Sequence, residues 1–170
     1  ALGAVTATGG LTVTNSGNLT QTGPLAITGA SSFTAGTGDI TLANASNDFT
    51  GAVSLSGSTV TLRDANTLTL GTVSTTGALS LNTAGALDLG RSAVGGALSV
   101  TTGNGTLTQT GALTVTGTSE LNAGTGRISL LDAGNDFSGA VSIPGSTVTL
   151  HGGGVVTWHW GSGRQRTTCP

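Results

Sequence analysis

The feature that most constrains this sequence is a long internal repeat. Residues 19–62 recur as residues 107–150, always 88 positions later in the chain. The shared segments are Leu-Thr-Gln-Thr-Gly at 19–23 and 107–111, Ala-Gly-Thr-Gly at 35–38 and 123–126, Asn-Asp-Phe at 47–49 and 135–137, and Gly-Ser-Thr-Val-Thr-Leu at 57–62 and 145–150. Self-similarity on this scale indicates structural units that stack on one another.

A shorter period lies inside the long one. Val60, Leu79 and Leu98 follow one another at intervals of 19 residues, and Leu68 precedes Leu87 by the same interval. Elsewhere the spacing drifts, as it does where the loops of a solenoid accept small insertions. The sequence therefore predicts a unit of about 20 residues, with four or five units in each 88-residue block.

Apolar residues alternate with Thr or Ser inside each unit, as in Leu-Thr-Val-Thr at 11–14. A period of two is typical of a strand with one buried face, and the runs are separated by Gly-rich turn formers. This pattern predicts an all-β fold, a parallel β-helix (β-solenoid) with coils of about 20 residues stacked about 4.8 Å apart. A β-sandwich also has many short strands, but the regular steps favour stacking. We expect Phe33, Phe49 and Phe137 to fill wider corners of the core.

The match between the two copies stops after Leu150, which divides the chain into a repeat segment, 1–150, and an aberrant tail, 151–170. Both His residues, both Trp residues and the single Cys lie in the tail. A shift of reading frame would explain this change, because the codons of Trp-His-Trp-Gly at 158–161, read one base earlier, encode Leu, Met or Val followed by Ala-Leu-Gly, which resembles Leu-Thr-Leu-Gly at 68–71. We favour a frameshifted end of another coil over a genuine Trp-rich binding tip, and the source DNA distinguishes the two.

The composition excludes several classes of protein. Hydrophobic residues make up 36% of the 170 residues and charged residues only 7%, against about 25% charged residues in ordinary domains, so the chain does not resemble a disordered one. A net charge of −2 without any Lys offers no basic patch, and we expect no binding of nucleic acid. The chain opens at Ala1 rather than Met, so we expect it to be processed or excised from a longer protein.

No metal or cofactor is predicted. His151 and His159 lie in the tail without a partner carboxylate motif. Asp39 follows a Gly-rich segment that weakly resembles calcium-binding repeats, but Arg127 holds its place in the second copy. We interpret the Gly-rich segments before Asp39 and before Arg127 as turns that bind no ion. The single Cys169 allows no disulfide within the chain.

No catalytic residue is assigned, and we expect that the protein is not an enzyme. Asp48 and Asp136 hold equivalent places in the two copies, and four coils of separation would put them about 20 Å apart, too far for a pair of glycosidase carboxylates. We interpret each as part of an Asn-Asp turn before a buried Phe. The sequence does not show whether Asp64 and Asp88 come closer together.

Pairs of Thr separated by one residue are frequent in the strands. Examples are Thr12/Thr14, Thr59/Thr61, Thr67/Thr69, Thr114/Thr116 and Thr147/Thr149. Aligned on one face in consecutive coils, such pairs would order water and bind ice. Thr is also a β-branched residue suited to exposed strand positions, and the pairs are irregularly spaced along the chain. Ice or surface binding therefore remains an alternative, ahead of a β-helical carbohydrate-active enzyme.

The segments at 47–55 and 64–71, and the Leu-Thr-Gln-Thr-Gly turns at 19–23 and 107–111, resemble repeats of filamentous haemagglutinin-like exoproteins. The resemblance covers roughly residues 10–150. It implies a right-handed parallel β-helix in a protein that Gram-negative bacteria secrete, often by two-partner secretion through an outer-membrane transporter. Such proteins serve in adhesion, biofilm formation or the delivery of a toxin domain. No site residues carry over, because no binding motif matches.

These observations predict a structural shaft segment of a large secreted surface adhesin. The expected partners are receptors or glycans on host or neighbouring cells, contacted weakly at many points. A cut solenoid also exposes unpaired strand edges, so we expect the chain to associate end to end. The receptor, the organism and the length of the parent protein do not follow from the sequence.

Overall fold

A computed structural model describes residues 1–144 and 147–151 of the chain, and the backbone of residues 158–160. These residues form 22 short strands and no helix, arranged as a parallel β-solenoid of about seven turns that lie about 20 residues apart. The all-β, parallel β-solenoid fold predicted from the sequence is confirmed. The right hand that the resemblance implies stays a prediction. Within the described part of the chain, no helix is long and apolar enough to cross a membrane.

Each coil contributes one strand to each of three faces. Face A contains β1 (Val5–Ala7), β4 (Leu25–Ile27), β7 (Asp48–Phe49), the first part of β10 (Leu68–Thr75), β12 (Leu87–Asp88), β15 (Leu107–Thr108), β18 (Ile128–Leu130) and β21 (Val148–Leu150). Face B contains β2 (Leu11–Thr14), β5 (Ser31–Thr34), β8 (Val53–Gly57), the second part of β10, β13 (Arg91–Val94), β16 (Leu113–Val115) and β19 (Asp136–Phe137). Face C contains β3 (Leu19–Thr20), β6 (Ile40–Leu42), β9 (Val60–Asp64), β11 (Leu79–Thr83), β14 (Leu98–Thr102), β17 (Ser119–Asn122), β20 (Val141–Ile143) and β22 (Trp158–Trp160).

The register between coils follows the short period of the sequence. Leu79 pairs with Val60 in the coil before it and with Leu98 in the coil after it, and Leu68 pairs with Leu87. The steps of 19 residues are therefore confirmed as single coils. Longer steps, such as that from Ser31 to Val53, take up the extra residues in the turns.

Alternation along each strand separates the core from the surface. The inward Leu, Val, Ile and Phe side chains are almost completely buried, and they form one continuous cluster. The rings of Phe33 and Phe49 meet edge to face, with centroids 6.0 Å apart and an interplanar angle of 81°. Phe49 and Phe137 end the short strands β7 and β19, whereas Phe33 lies inside β5. The expectation that Phe33 fills a corner is therefore wrong.

The two copies of the long repeat do not occupy the same faces. Leu25 lies on face A and its counterpart Leu113 on face B, because the 88 residues between them span thirteen strand positions, which is four coils and one further face. For the same reason Asp48 lies on face A and Asp136 on face B. These two acids are therefore a little over four coils apart, in line with the expected separation, but they do not lie on the same face. The inward side chains of the repeat are therefore buried in the core on two different faces of the solenoid.

The Ala-Gly-Thr-Gly segments make tight turns between faces. Gly36 and Gly124 adopt φ angles of 57° and 55°, in the left-handed region that favours glycine. The amide of Gly38 donates to the carbonyl of Ala35 at 2.8 Å, and the corresponding bond recurs in the second copy. A Cβ atom on Gly38 would collide with the backbone of Gly17 in the turn below. Glycine is therefore required here by the close stacking of successive turns.

Candidate functional site

A buried pair of amides closes one corner of the first copy. Asn47 is fully buried, and its Oδ1 accepts hydrogen bonds from Nε2 of Gln21 at 2.8 Å and from the amide of Leu25 at 3.0 Å. Its Nδ2 donates to Oε1 of Gln21 at 2.9 Å and to the carbonyls of Leu42 and Arg63, both at 3.1 Å. One side chain therefore satisfies polar groups of three successive coils.

The second copy builds the same pair on another corner. Asn135 accepts from Nε2 of Gln109 at 2.8 Å and from the amide of Leu113 at 2.9 Å, and it donates back to Oε1 of Gln109 at 2.9 Å. Its Nδ2 also donates to the carbonyl of His151 at 2.8 Å. Asn47 and Asn135 do close backbone turns, as the sequence predicts, through their own amides. The reciprocal pairing with Gln was missed, although the retention of both residue types in both copies was a usable signal.

Asp64 is the one acidic residue buried in the core of the described chain. Its carboxylate accepts from the amide of Phe49 at 2.9 Å and from the amide of Asn66 at 3.1 Å. Burial raises the pKa of Asp64 above its usual range, although these backbone hydrogen bonds oppose the shift, and the neighbouring charge of Asp48 adds to it. Asp64 therefore caps the turn where face A is interrupted between β7 and β10.

Asp48 is the one acidic residue of the described chain that acts on the pKa of Asp64. Asp88 lies on face A between Thr69 and Thr108, and its Oδ1 accepts from the amide of Gly90 at 2.7 Å. Asp48 accepts from Nδ2 of Asn66 at 2.9 Å. Within the described residues, no three His, Cys, Asp or Glu side chains are grouped as a metal site would need. These acids therefore serve local turns.

Most of the tail lies outside the described residues. The backbone of His151 continues the second copy, since its amide donates to the carbonyl of Leu130 at 2.8 Å. The backbone of Trp158–Trp160 forms β22, which pairs in parallel with β20. The side chain of His159, Arg164, Arg166 and Cys169 lie outside the described part, so the frameshift hypothesis stays a prediction.

Hydroxyl side chains line up on face B in four consecutive coils. The aligned pairs are Thr12/Thr14, Ser32/Thr34, Ser54/Ser56 and Thr72/Ser74. The Thr pairs themselves are scattered over all three faces, with Thr59/Thr61 on face C and Thr67/Thr69 at face A. Sequence reasoning counted only Thr-x-Thr, and it therefore missed the array, in which half of the positions are Ser.

Comparison with protein families supplies an assignment. Residues 1–56, 57–88 and 81–144 match the model of a family described as repeats of unknown function (DUF5649). The chain belongs to this family. No curated protein and no solved structure matches the chain. Three successive DUF5649 matches over one unbroken solenoid mean that the family model describes coils of a continuous stack, and nothing in the match names a haemagglutinin-like adhesin.

Proposed function

We propose that this chain is a shaft segment of a large secreted bacterial surface adhesin. The observation that supports it is the placement of the two copies of the long repeat, which supply the same core from different faces. A unit that stacks equally well from any face can be added repeatedly, so it builds a rod of any length. Such a rod holds a distal binding region away from the cell.

The surfaces of the two copies support a spacing role over catalysis. The outward residues Ser32 and Asp39 are replaced in the second copy by Glu120 and Arg127, whereas the inward positions keep their apolar character. A reaction carried by the repeat would need its polar groups in both copies. A spacer needs only the core, which also supports the expectation that the protein is not an enzyme.

The proposed mechanism is mechanical. Each coil adds about 4.8 Å along the axis, so seven coils extend the rod by roughly 34 Å. Export through an outer-membrane transporter and display on the cell surface belong to this proposal, as do receptors or glycans on other cells as partners. The support for these points is the resemblance of the repeats to haemagglutinin-like exoproteins.

End-to-end association belongs to the same proposal. The first described coil has strand partners on one side only, and its inward residues Leu2, Val5, Leu11 and Val13 are half-buried. An open edge of this kind pairs with another chain. Sedimentation of the purified chain over a range of concentrations should show growing oligomers, and a sharp monomer at high concentration would contradict this part.

The experiment that tests the shaft role uses intact bacteria that make the parent protein. On a Cys169→Ser background, Thr14→Cys places a single thiol on an exposed position of face B, and a membrane-impermeant maleimide should label it without lysis of the cells. Deletion of residues 79–97, one complete coil by the Leu79–Leu98 register, should leave adhesion unchanged. Labelling only after lysis would overturn surface display, and loss of adhesion without loss of surface protein would overturn the spacer role.

A further inference from the structure

The hydroxyl array of face B forms a shallow groove. The groove has a volume of about 280 Å³ and is lined by Ser32, Thr34, Ser54, Leu55, Ser56, Thr72 and Ser74. Its hydroxyls stand in two columns that follow the solenoid axis, with about 4.8 Å between coils and about 6.7 Å between columns. None of the lining residues is charged, so the groove is a neutral surface that both donates and accepts hydrogen bonds.

Five of the six groove hydroxyls make no hydrogen bond within the described residues, and the sixth only accepts one. Elsewhere in the described chain Thr75, Thr83 and Thr102 donate to glycine carbonyls two or three residues away. In the groove, Ser54 Oγ accepts from the amide of Thr72 at 3.3 Å and keeps its own proton free to donate. The hydroxyls of the other five lining residues make no hydrogen bond to the described residues. They therefore remain available to a ligand.

The recess depends on an irregularity in β10. The pairing of β10 with β8 shifts between Leu70 and Val73, at a bulge that contains Gly71. A Cβ atom on Gly71 would lie 2.7 Å from Ser54 Oγ. The absence of a side chain at Gly71 therefore leaves room for the Ser54 hydroxyl in the groove. At its upper end the array stops at Arg91, which pairs with Thr72.

We infer that the groove of face B binds a neutral, hydroxyl-rich linear polysaccharide lying along the solenoid axis. This goes beyond the shaft role, because it gives one face of the rod a ligand of its own. The groove is at the small end of the volumes that hold ligands, which suits a short stretch of a long chain. A surface that orders ice has to be flat and regular, whereas this one is recessed and shifts register at Gly71. Single contacts are weak, and repetition along a polymer strengthens them.

The test compares two matched triple variants of the whole chain. Ser32→Ala, Ser54→Ala and Ser74→Ala remove three groove hydroxyls from face B. Ser80→Ala, Ser99→Ala and Ser142→Ala remove three outward hydroxyls from face C, where no double column of hydroxyls exists in the described strands. All six positions face outward, so both proteins should melt within a few degrees of the wild type.

Affinity electrophoresis through gels containing soluble β-glucan or xylan measures the binding. We expect the wild type and the face C variant to be retarded equally, and the face B variant to bind about tenfold more weakly. No retardation of the wild type in either gel would overturn the inference, as would equal retardation of all three proteins. Thermal hysteresis without retardation would assign the face to ice, and stronger binding to heparin would assign it to polyanions; either result also overturns it. The maleimide and deletion experiments on intact cells do not depend on these outcomes.

Discussion

Residues 19–62 and 107–150 have nearly the same inward residues but lie on different faces of the solenoid. Inward pairs such as Leu25 and Leu113 sit one face apart, and both are fully buried. The outward residues have diverged at the same time, as with Asp39 and Arg127. The comparison teaches that the core accepts the repeat from more than one face, because each inward column is made of similar side chains on both faces.

The buried amides provide the largest test of this equivalence. Asn47→Ala removes both side-chain hydrogen bonds between Asn47 and Gln21 and the bonds from Asn47 to three backbone groups, and we expect a loss of about 3 kcal/mol or more in unfolding free energy. Asn135→Ala should cost about the same, within about 1 kcal/mol. Urea denaturation measures both. Asn44→Ala is the control, since its half-exposed side chain bonds only the amide of Ser46.

A large loss for Asn47→Ala with a negligible one for Asn135→Ala would break the equivalence. It would mean that only one of the two corners depends on its Asn–Gln pair for stability. Gln21→Ala combined with Asn47→Ala sharpens the result, because two partners of one network should be strongly non-additive.

The aromatic contact is where the two cores differ. Phe33 meets Phe49 edge to face, whereas Leu121 stands at the position of Phe33 in the second copy. Phe33→Leu makes the first copy like the second, and we expect a loss of about 1–2 kcal/mol from the smaller side chain and the lost ring contact. Thermal unfolding compares it with wild type. A neutral result would mean that the first copy draws no extra stability from this ring pair.

Asp64 lies two residues beyond the first copy, where the corresponding position after the second copy is Gly152, and it gives the stability a dependence on pH. Because burial raises the pKa of its carboxyl above the ordinary value of 3.8, the folded state favours the neutral form. The stabilisation is therefore complete below pH 3.8 and is lost as the pH rises through the raised folded pKa. As the pH rises through this range, the unfolding free energy of the wild type should fall relative to that of Asp64→Asn. Parallel curves for the two proteins would contradict this account of Asp64.

The smallest expected effect concerns two buried serines. Ser31 on face B and Ser119 on face C are equivalent in the repeat, and the hydroxyls of both are buried without a hydrogen-bond partner among the described residues. Ser31→Ala and Ser119→Ala should each stabilise the protein by up to about 1 kcal/mol, since they remove an unsatisfied polar group. Destabilisation by either one in urea would reveal a partner that only that face provides.

The sequence predicted the strands and the coil length. It did not predict that the second copy lies one face further round the solenoid than the first. The 19-residue steps from Val60 to Leu98 give a fixed register, so they could be interpreted directly. The face on which residue 107 falls depends on every insertion before it, such as that between Ser31 and Val53. The burial of Asp64 was accessible, because Val60 and Leu62 place it inward by a period of two. The Asn–Gln pairs were harder to predict, because the partners are 26 residues apart and the retention of both residue types in both copies was the one signal for them.

A disulfide test addresses the rotation most directly. On a Cys169→Ser background, Ala93→Cys and Thr114→Cys introduce thiols at positions paired on face B, at a coil spacing that a disulfide can bridge. Mild oxidation followed by non-reducing mass analysis should show nearly complete cross-linking of this pair and none between Asp88→Cys and Thr114→Cys. If instead the Asp88 pair cross-links and the Ala93 pair does not, the second copy lies on the same face as the first, and the interchangeable core is contradicted.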